Sequence, residues 1–525
     1  MTSALHFLKK VSLVFAGLAL SFSAHAEDYI VKIKQNFTTE NLSTTISQIN
    51  GIKVLDQHEV GRLILIQTDS PVNEVEKRLN TIDGFEYLVP NIKFHIIATN
   101  DPHYGKQWNL AKIGAEKAWE KENNTKHPIV AVIDTGIDYK HEDLATQMYR
   151  NDKGEIIGWN FIENNNDPMD IISTQPRGNP GHGTHCAGII AASRDNGIGV
   201  SGIAPKALLM PLRFIGPDGS GDLMNSIKAI DFAIQNNAQI ISASWGAAVS
   251  RSVVKPLIEA IERAGQKGII FVAAAANDGK SNDTREVYPA NAGLPNVISV
   301  AASDKNDSKP TWSNYGRAKV DLASPGVGIL STLPNNKYGE LSGTSMATPL
   351  VAGMLALLLG QSVADGHSFN APEFKAIMQA NSAKVQIETA CNCRISAEQS
   401  MNAIVANDLT VVPNAGTFAP GEGSSFHAIG GKGPYTFTSS NPSVASITPE
   451  GQLKALADGN TIIKATDSLG KIASSGEIFV GKNNTPAPGG ECPIGNPELC
   501  ELICKLMPNA PWCKQLDLSK LFSKL

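Results

Sequence analysis

Ile129-Val130-Ala131-Val132-Ile133-Asp134-Thr135-Gly136 decides how most of this chain folds. Its first five residues are apolar without a break, as in a strand covered on both faces. A carboxylate and a glycine turn then end the run. Similar runs return at Ala207–Phe214, Gln239–Ala243, Gly268–Ala276 and Val297–Ala301. Between two of them, Leu223, Ile227, Ile230 and Ile234 form one helical stripe. Strands alternating with amphipathic helices predict an α/β domain over residues 99–407: a mostly parallel sheet with helices on both faces.

The flanks read differently. Lys9 and Lys10 precede the apolar run Val11–Phe22, and Ala24-His25-Ala26 follows as a cleavage pattern. Residues 1–26 therefore read as a signal peptide. An uncleaved anchor is the rival, but a run of roughly a dozen residues is short for a bilayer. No later stretch reaches 18 uninterrupted apolar residues, so the expectation is an exported protein with no transmembrane segment in its mature form. Residues 27–98 combine the strands Tyr29–Ile33 and Leu63–Ile66 with two helical faces, Leu42/Ile46/Ile49 and Val72/Val75/Leu79 after Pro71. That is a small α+β domain. Residues 408–481 carry short alternating strands, such as Tyr435–Thr438 and Thr461–Ala465, between Gly and Pro turns. They predict a small β-sandwich. A Pro/Gly/Asn linker (482–490) leads to a cysteine-rich tail with helical spacing (491–525).

Composition excludes other classes. Among 525 residues, 45 Lys+Arg against 50 Asp+Glu give a net charge of −5. That argues against a protein held to nucleic acid by phosphate neutralisation. With 42% hydrophobic and 18% charged residues, the chain is not mostly disordered. Seven cysteines leave at least one unpaired within the chain.

Three motifs carry the chemistry. Ala131–Asp138 places Asp134 at the carboxyl end of a buried strand, where parallel sheets build their sites. Gly181-His182-Gly183-Thr184-His185-Cys186-Ala187-Gly188 puts an imidazole, able to take and return a proton near neutral pH, at the mouth of a small-residue helix. A metal pair of His182 and His185 is the rival, without a visible third ligand. Gly343-Thr344-Ser345-Met346-Ala347-Thr348-Pro349 starts the apolar helix Met346–Leu359. A serine there is an ordinary N-cap, or a nucleophile served by free first-turn N–H donors.

In the order Asp, His, Ser, with these surroundings, the chain resembles the subtilase family, in particular its thermitase-like secreted members, over about Asp28–Asn407. The resemblance implies a secreted serine endopeptidase acting on protein or peptide substrates, made as a self-processing zymogen and working as a monomer. It makes Ser345 the nucleophile, His182 its base and then its acid, and Asp134 the group that orients His182. Ala274-Ala275-Ala276-Asn277 matches the family's oxyanion segment, so Asn277 would donate its amide to the oxyanion. Ser244-Trp245-Gly246 and Gly219-Ser220-Gly221 resemble the strands that hold the substrate backbone, and Ala276 would wall the pocket before the cut bond. Two positions depart from the family: Ala276 where glycine is usual, narrowing that pocket by a methyl, and Leu350 where histidine is usual.

The resemblance also implies a structural Ca²⁺ held by Asp101, Asp143 and Asn196, with backbone carbonyls of Arg194, Ile198 and Val200. A second site near Glu163, Asp167 and Asp170 is weakly specified. Residues 27–98 resemble the family's propeptide, with a cut expected between about His95 and Asp101, and would act as an intramolecular inhibitor and folding aid. Asn441–Ala445 and Gly451–Ala455 resemble bacterial immunoglobulin-like domains, whose role here would be attachment or a spacer. Cys492, Cys500, Cys504 and Cys513 allow three pairings, and zinc is a lesser alternative. Cys391 and Cys393 pair with each other or stay reduced, and Cys186 is left as the odd thiol behind His182. Rival readings are an inert protease fold serving the β-module, and a protease dedicated to one partner.

Overall fold

A computed structural model of the chain describes residues 27–91, 99–123, 126–175 and 178–481. The expected signal peptide, linker and cysteine-rich tail lie outside the described residues, as does most of the expected cut region. The chain divides into two units after residue 97.

The first unit runs β1 (Glu27–Ile33), α1 (Thr39–Ser47), β2 (Ile52–His58), β3 (Leu63–Thr68), α2 (Val72–Leu79) and β4 (Phe85–Pro90). Its antiparallel sheet has the order β2-β3-β1-β4. Alternate residues Val31, Ile33, Ile64 and Ile66 bury one face against Leu42, Ile46, Val75 and Leu79 of the helices. The expected strands and helices are present, although Ile49 lies past the end of α1. Strands β2 and β4 escape a periodicity reading because each buries a single residue fully, Ile52 and Phe85.

The second unit begins with α3 (Trp108–Ile113) and α4 (Ala115–Trp119). Its sheet strands are β5 (Ile129–Asp134), β6 (Trp159–Asn160), β7 (Leu208–Arg213), β8 (Ile240–Ala243), β9 (Ile270–Ala274), β10 (Val297–Ser303) and β11 (Leu322–Pro325). A hairpin, β12 (Ile329–Leu333) and β13 (Lys337–Leu341), stands apart, and β14 (Ala383–Lys384) and β15 (Cys393–Arg394) close the edge. The order is β14-β15-β11-β10-β9-β8-β5-β7-β6, parallel throughout except at β14. Strand succession reverses around β5, which opens a crevice at its carboxyl end. Asp134 is the last residue of β5.

Helices α5 (His182–Ala191), α6 (Leu223–Gln235), α7 (Lys255–Gln266), α8 (Thr344–Ala364), α9 (Ala371–Ala380) and α10 (Ala397–Val405) complete the layers. Every residue of β5 is buried. Val130 and Val132 enter the core shared with α5 and α8, while Ile129, Ala131 and Ile133 enter the core shared with α6 and α7. Helix α8 runs past Leu359, the end expected from sequence. It is long and apolar enough to cross a membrane, but it is buried along most of its length as a core helix. It crosses α5 at Gly353, where a Cβ would lie 2.3 Å from Ile203 Cγ2 and 3.1 Å from Ile190 Cα. Leu350 is fully buried in this packing, so its departure from the family bears on the core.

Residues 409–481 form the expected sandwich of short strands around Val411, Phe426, Leu453, Ile463 and Ile478. It is docked on the α/β domain. Strand Thr410–Val412 packs on α9, and Ala415 and Ile429 pack against the α5/α8 core. Arg317 reaches Glu477 at 3.9 Å and lies over the Phe479 ring, while His427 meets Glu373 at 3.2 Å. Cys391 and Cys393 are joined by a disulfide, and Cys186 is free and buried.

Candidate active site

Three elements bring their ends together at the crevice. β5 delivers Asp134, fully buried; α5 delivers His182 from its first turn; α8 delivers Ser345 from its own. His182 Nδ1 lies 2.7 Å from Asp134 Oδ1, which also accepts the Thr135 N–H at 2.8 Å. Asp134 Oδ2 is buried with no hydrogen-bond partner among the described residues, so the carboxylate is served through Oδ1. Burial alone would push the His182 imidazole down, but the Asp134 charge beside it holds the pKa well above the usual 6.5. Burial pushes the neighbouring Cys186 thiol up.

Ser345 is anchored through its backbone. Pro349, one turn further along α8, has no N–H, so the Ser345 carbonyl lacks its usual i+4 donor. Ser244 Oγ fills the gap at 2.9 Å and Cys186 Sγ at 3.4 Å. Ser345 Oγ in turn donates to the Ser244 carbonyl at 3.1 Å. Asn277 Oδ1 accepts from the Thr344 N–H (2.9 Å) and hydroxyl (3.0 Å), which fixes the amide so that Nδ2 faces the other way. A Cβ built on Gly343 would lie 3.4 Å from Ser345 N and 3.5 Å from Asn277 Nδ2. One small space is therefore shared by two N–H donors beside the serine.

The substrate-strand residues gather nearby. Phe214, Gly219, Ser220, Gly221, Leu223, Trp245, Gly246 and Tyr288 help line a cavity of about 380 Å³. Trp245 is fixed by its indole N–H to Ile133 O at 2.8 Å and by edge contact with Phe214. Gly219–Gly221 is folded as a tight turn, with Gly216 N donating to Ser220 O, and only Gly221 forms a strand bridge. Phe214, Leu223 and Tyr288 were not singled out from sequence, since an apolar wall reads there as core. Ala276 has φ +91°, a left-handed conformation that explains why glycine is usual there.

His185, the other half of the rival metal pair, turns away to Gly339 O at 3.0 Å. Burial pushes its pKa down to about 4, which keeps it neutral.

Of the expected calcium ligands, the side chains of Asp101, Asp143 and Asn196 come together. Asp101 accepts from Asp195 N, Asn196 N and Ser201 Oγ; Asp143 accepts from Asn196 Nδ2 and Val200 N. Two buried carboxylates thus face one loop with only neutral donors between them, and burial with its neighbours pushes Asp143 up to about 6. Ile198 N donates to Asn196 Oδ1 at 2.8 Å, and the Arg194 side chain lies over Trp119. This oxygen-rich, charge-deficient set fits a hard dication. The second set does not converge. Asp167 takes the Tyr139 hydroxyl, Glu163 reaches Arg213 at 3.8 Å, and Asp170 turns inward to the start of α5.

The sequence pattern of the subtilase family fits residues 125–402, and that of the intimin immunoglobulin-like domain fits residues 425–468. The thermophilic serine proteinase of Bacillus sp. (strain AK1) is 35% identical over 336 residues, 64% of this chain and 78% of that protein. Thermitase of Thermoactinomyces vulgaris is 40% identical over 264 residues, 50% of this chain and 85% of that protein. A solved protease of Pseudoalteromonas arctica PAMC 21717 is similar with a TM-score of 0.51 at 27% identity, covering 59% of this chain and 100% of that one.

The strained residue gives a direct test. Ala276→Gly removes a left-handed penalty of roughly 1–2 kcal/mol. It returns about 0.4–1 kcal/mol of unfolded-chain entropy. Thermal melting should show a stability gain on the order of 0.5–1 kcal/mol, the difference of those two terms; a loss would contradict the strain.

Proposed function

We propose that this chain, which belongs to the subtilase family and is a subtilisin-like serine endopeptidase, is exported and made as a zymogen that cuts itself free of residues 27–98. Ser345 is the nucleophile. His182 takes its proton at Nε2 and returns it to the leaving amine, while Asp134 holds the imidazole with its other proton on Nδ1. To reach His182, the Ser345 hydroxyl leaves the Ser244 carbonyl by a side-chain rotation, the kind of tightening expected when substrate fills a site. The oxyanion that forms settles between Ser345 N and Asn277 Nδ2. The observation that carries this reading is the space those two donors share beside Gly343. The peptide lies extended along Ser244–Gly246, whose backbone pairing reads little sequence, with the Gly219–Gly221 turn as the facing wall of the cleft.

Asp101, Asp143 and Asn196, with carbonyls of Arg194, Ile198 and Val200, hold one Ca²⁺. It supplies the positive charge that the two buried carboxylates lack and so ties the start of the domain to the loop after α5. The α+β unit is the propeptide and intramolecular inhibitor, and the enzyme is a monomer. The intact triad favours an active enzyme over an inert scaffold for the β-module.

Ser345→Ala should reduce casein hydrolysis by on the order of 10⁴-fold or more and leave the precursor uncut; retained activity sinks the assignment. Because Asp134 keeps His182 protonated to higher pH than a free imidazole, the base is lost as pH falls through that raised pKa. The acid limb of kcat/KM on a peptide anilide should therefore have its midpoint above 6.5. Chelation should lower the melting temperature, with added Ca²⁺ restoring it, by about 2.7 kcal/mol at a hundred times Kd; an unchanged melting curve rejects the metal site.

A further inference from the structure

Asp170 is a buried carboxylate that the triad does not include, and its partners Thr184 and Asn179 are neutral groups on either side of His182 in the chain. Asp170 Oδ2 accepts the Thr184 N–H at 3.0 Å and the Thr184 hydroxyl at 2.7 Å, so it caps the first turn of α5 two residues beyond His182. Asp170 Oδ1 accepts the Asn179 amide at 2.6 Å. Asn179 Oδ1 then accepts the N–H of Gly181 at 2.9 Å and of His182 at 2.8 Å. On the other side, the hydroxyl of Thr135, next to Asp134, accepts the Gly183 N–H at 2.9 Å. Burial pushes the Asp170 pKa up, and the hydrogen bonds from Thr184 and Asn179 pull against that.

One carboxylate therefore ties the first turn of α5 to the segment leading into it, and the Thr135 hydroxyl ties that same turn to the residue after β5. A backbone shift on either side changes the separation of Asp134 and His182, and a misplacement on the order of 1 Å is enough to cost about 10² in rate. We propose that Asp170 is the positioning residue of this active site, setting the Asp134–His182 geometry through Thr135, Thr184 and Asn179. The proposal rests on the roles assigned above to the triad.

The test is Asp170→Asn in the mature enzyme, nearly the same shape with one acceptor exchanged for a donor. Active sites are titrated with a fluorophosphonate, and kcat and KM are measured per titrated site on a soluble peptide anilide. Expected is a fall in kcat of about 10–100-fold with KM changed less than about two-fold. A purely structural role would instead reduce the number of titratable sites and leave kcat per site within two-fold, which overturns the proposal. If Asp170→Asn does not fold, Thr184→Val, which deletes one donor to Asp170 at constant shape, should lower kcat per site in the same direction by a smaller factor. No change in that variant also overturns it. Ser345→Ala, assayed beside them, separates the two levels. If it is active, the triad reading fails; if it is inactive while Asp170→Asn is unaffected, only the positioning role fails.

Discussion

A helix as apolar as Thr344–Ala364 has to be covered by protein on all sides, and that demand organises the α/β domain. The sheet covers one side and α5 the other, close enough that position 353 has no room for a side chain. With the helix so enclosed, its first turn is delivered to the sheet's crevice. Pro349 adds a second consequence. By withholding an N–H it obliges the Ser345 carbonyl to find partners on β8's extension and on α5, so the serine is tied to both neighbouring elements rather than to its own helix alone.

Around that helix the domain buries carboxylates where hydrophobic burial alone would exclude them. Each is settled differently. Asp134 is settled by an imidazole, Asp170 by a hydroxyl, an amide and a helix start, and Asp101 with Asp143 by backbone, hydroxyl and amide donors that leave their charge unbalanced. Burying a charge without a counterion is expensive. The first meets an imidazole, the second a helix start, and the third only neutral donors.

The α/β architecture was legible because an unbroken apolar run such as Ile129–Ile133 has few other folds open to it. Its alternate residues do feed two separate cores. Asp134, His182, Ser345 and Asn277 were legible from motifs, and the structure gathers them at one crevice. What stayed hidden depends on tertiary contact. Asp170 lies nine residues before Asn179 in a segment with no periodicity, and the sequence placed it with Asp167 rather than under α5. Asn179 before Pro180-Gly181 was the available sign, since an asparagine ahead of a helix is a common cap. Strands β2 and β4 were hidden because one buried residue each makes no pattern.

The joint between α10 and the sandwich is short and occupied. α10 ends at Val405, and Leu409–Val412 are already buried, with Thr410–Val412 paired as a strand. A proteolytic cleft captures peptide only in an extended, unpaired state. A protein that digests others is exposed to its own neighbours in solution, and a slack tether at this joint would be the first place they could bite. Here the backbone that would serve as bait is already spent on pairing with His427–Ile429.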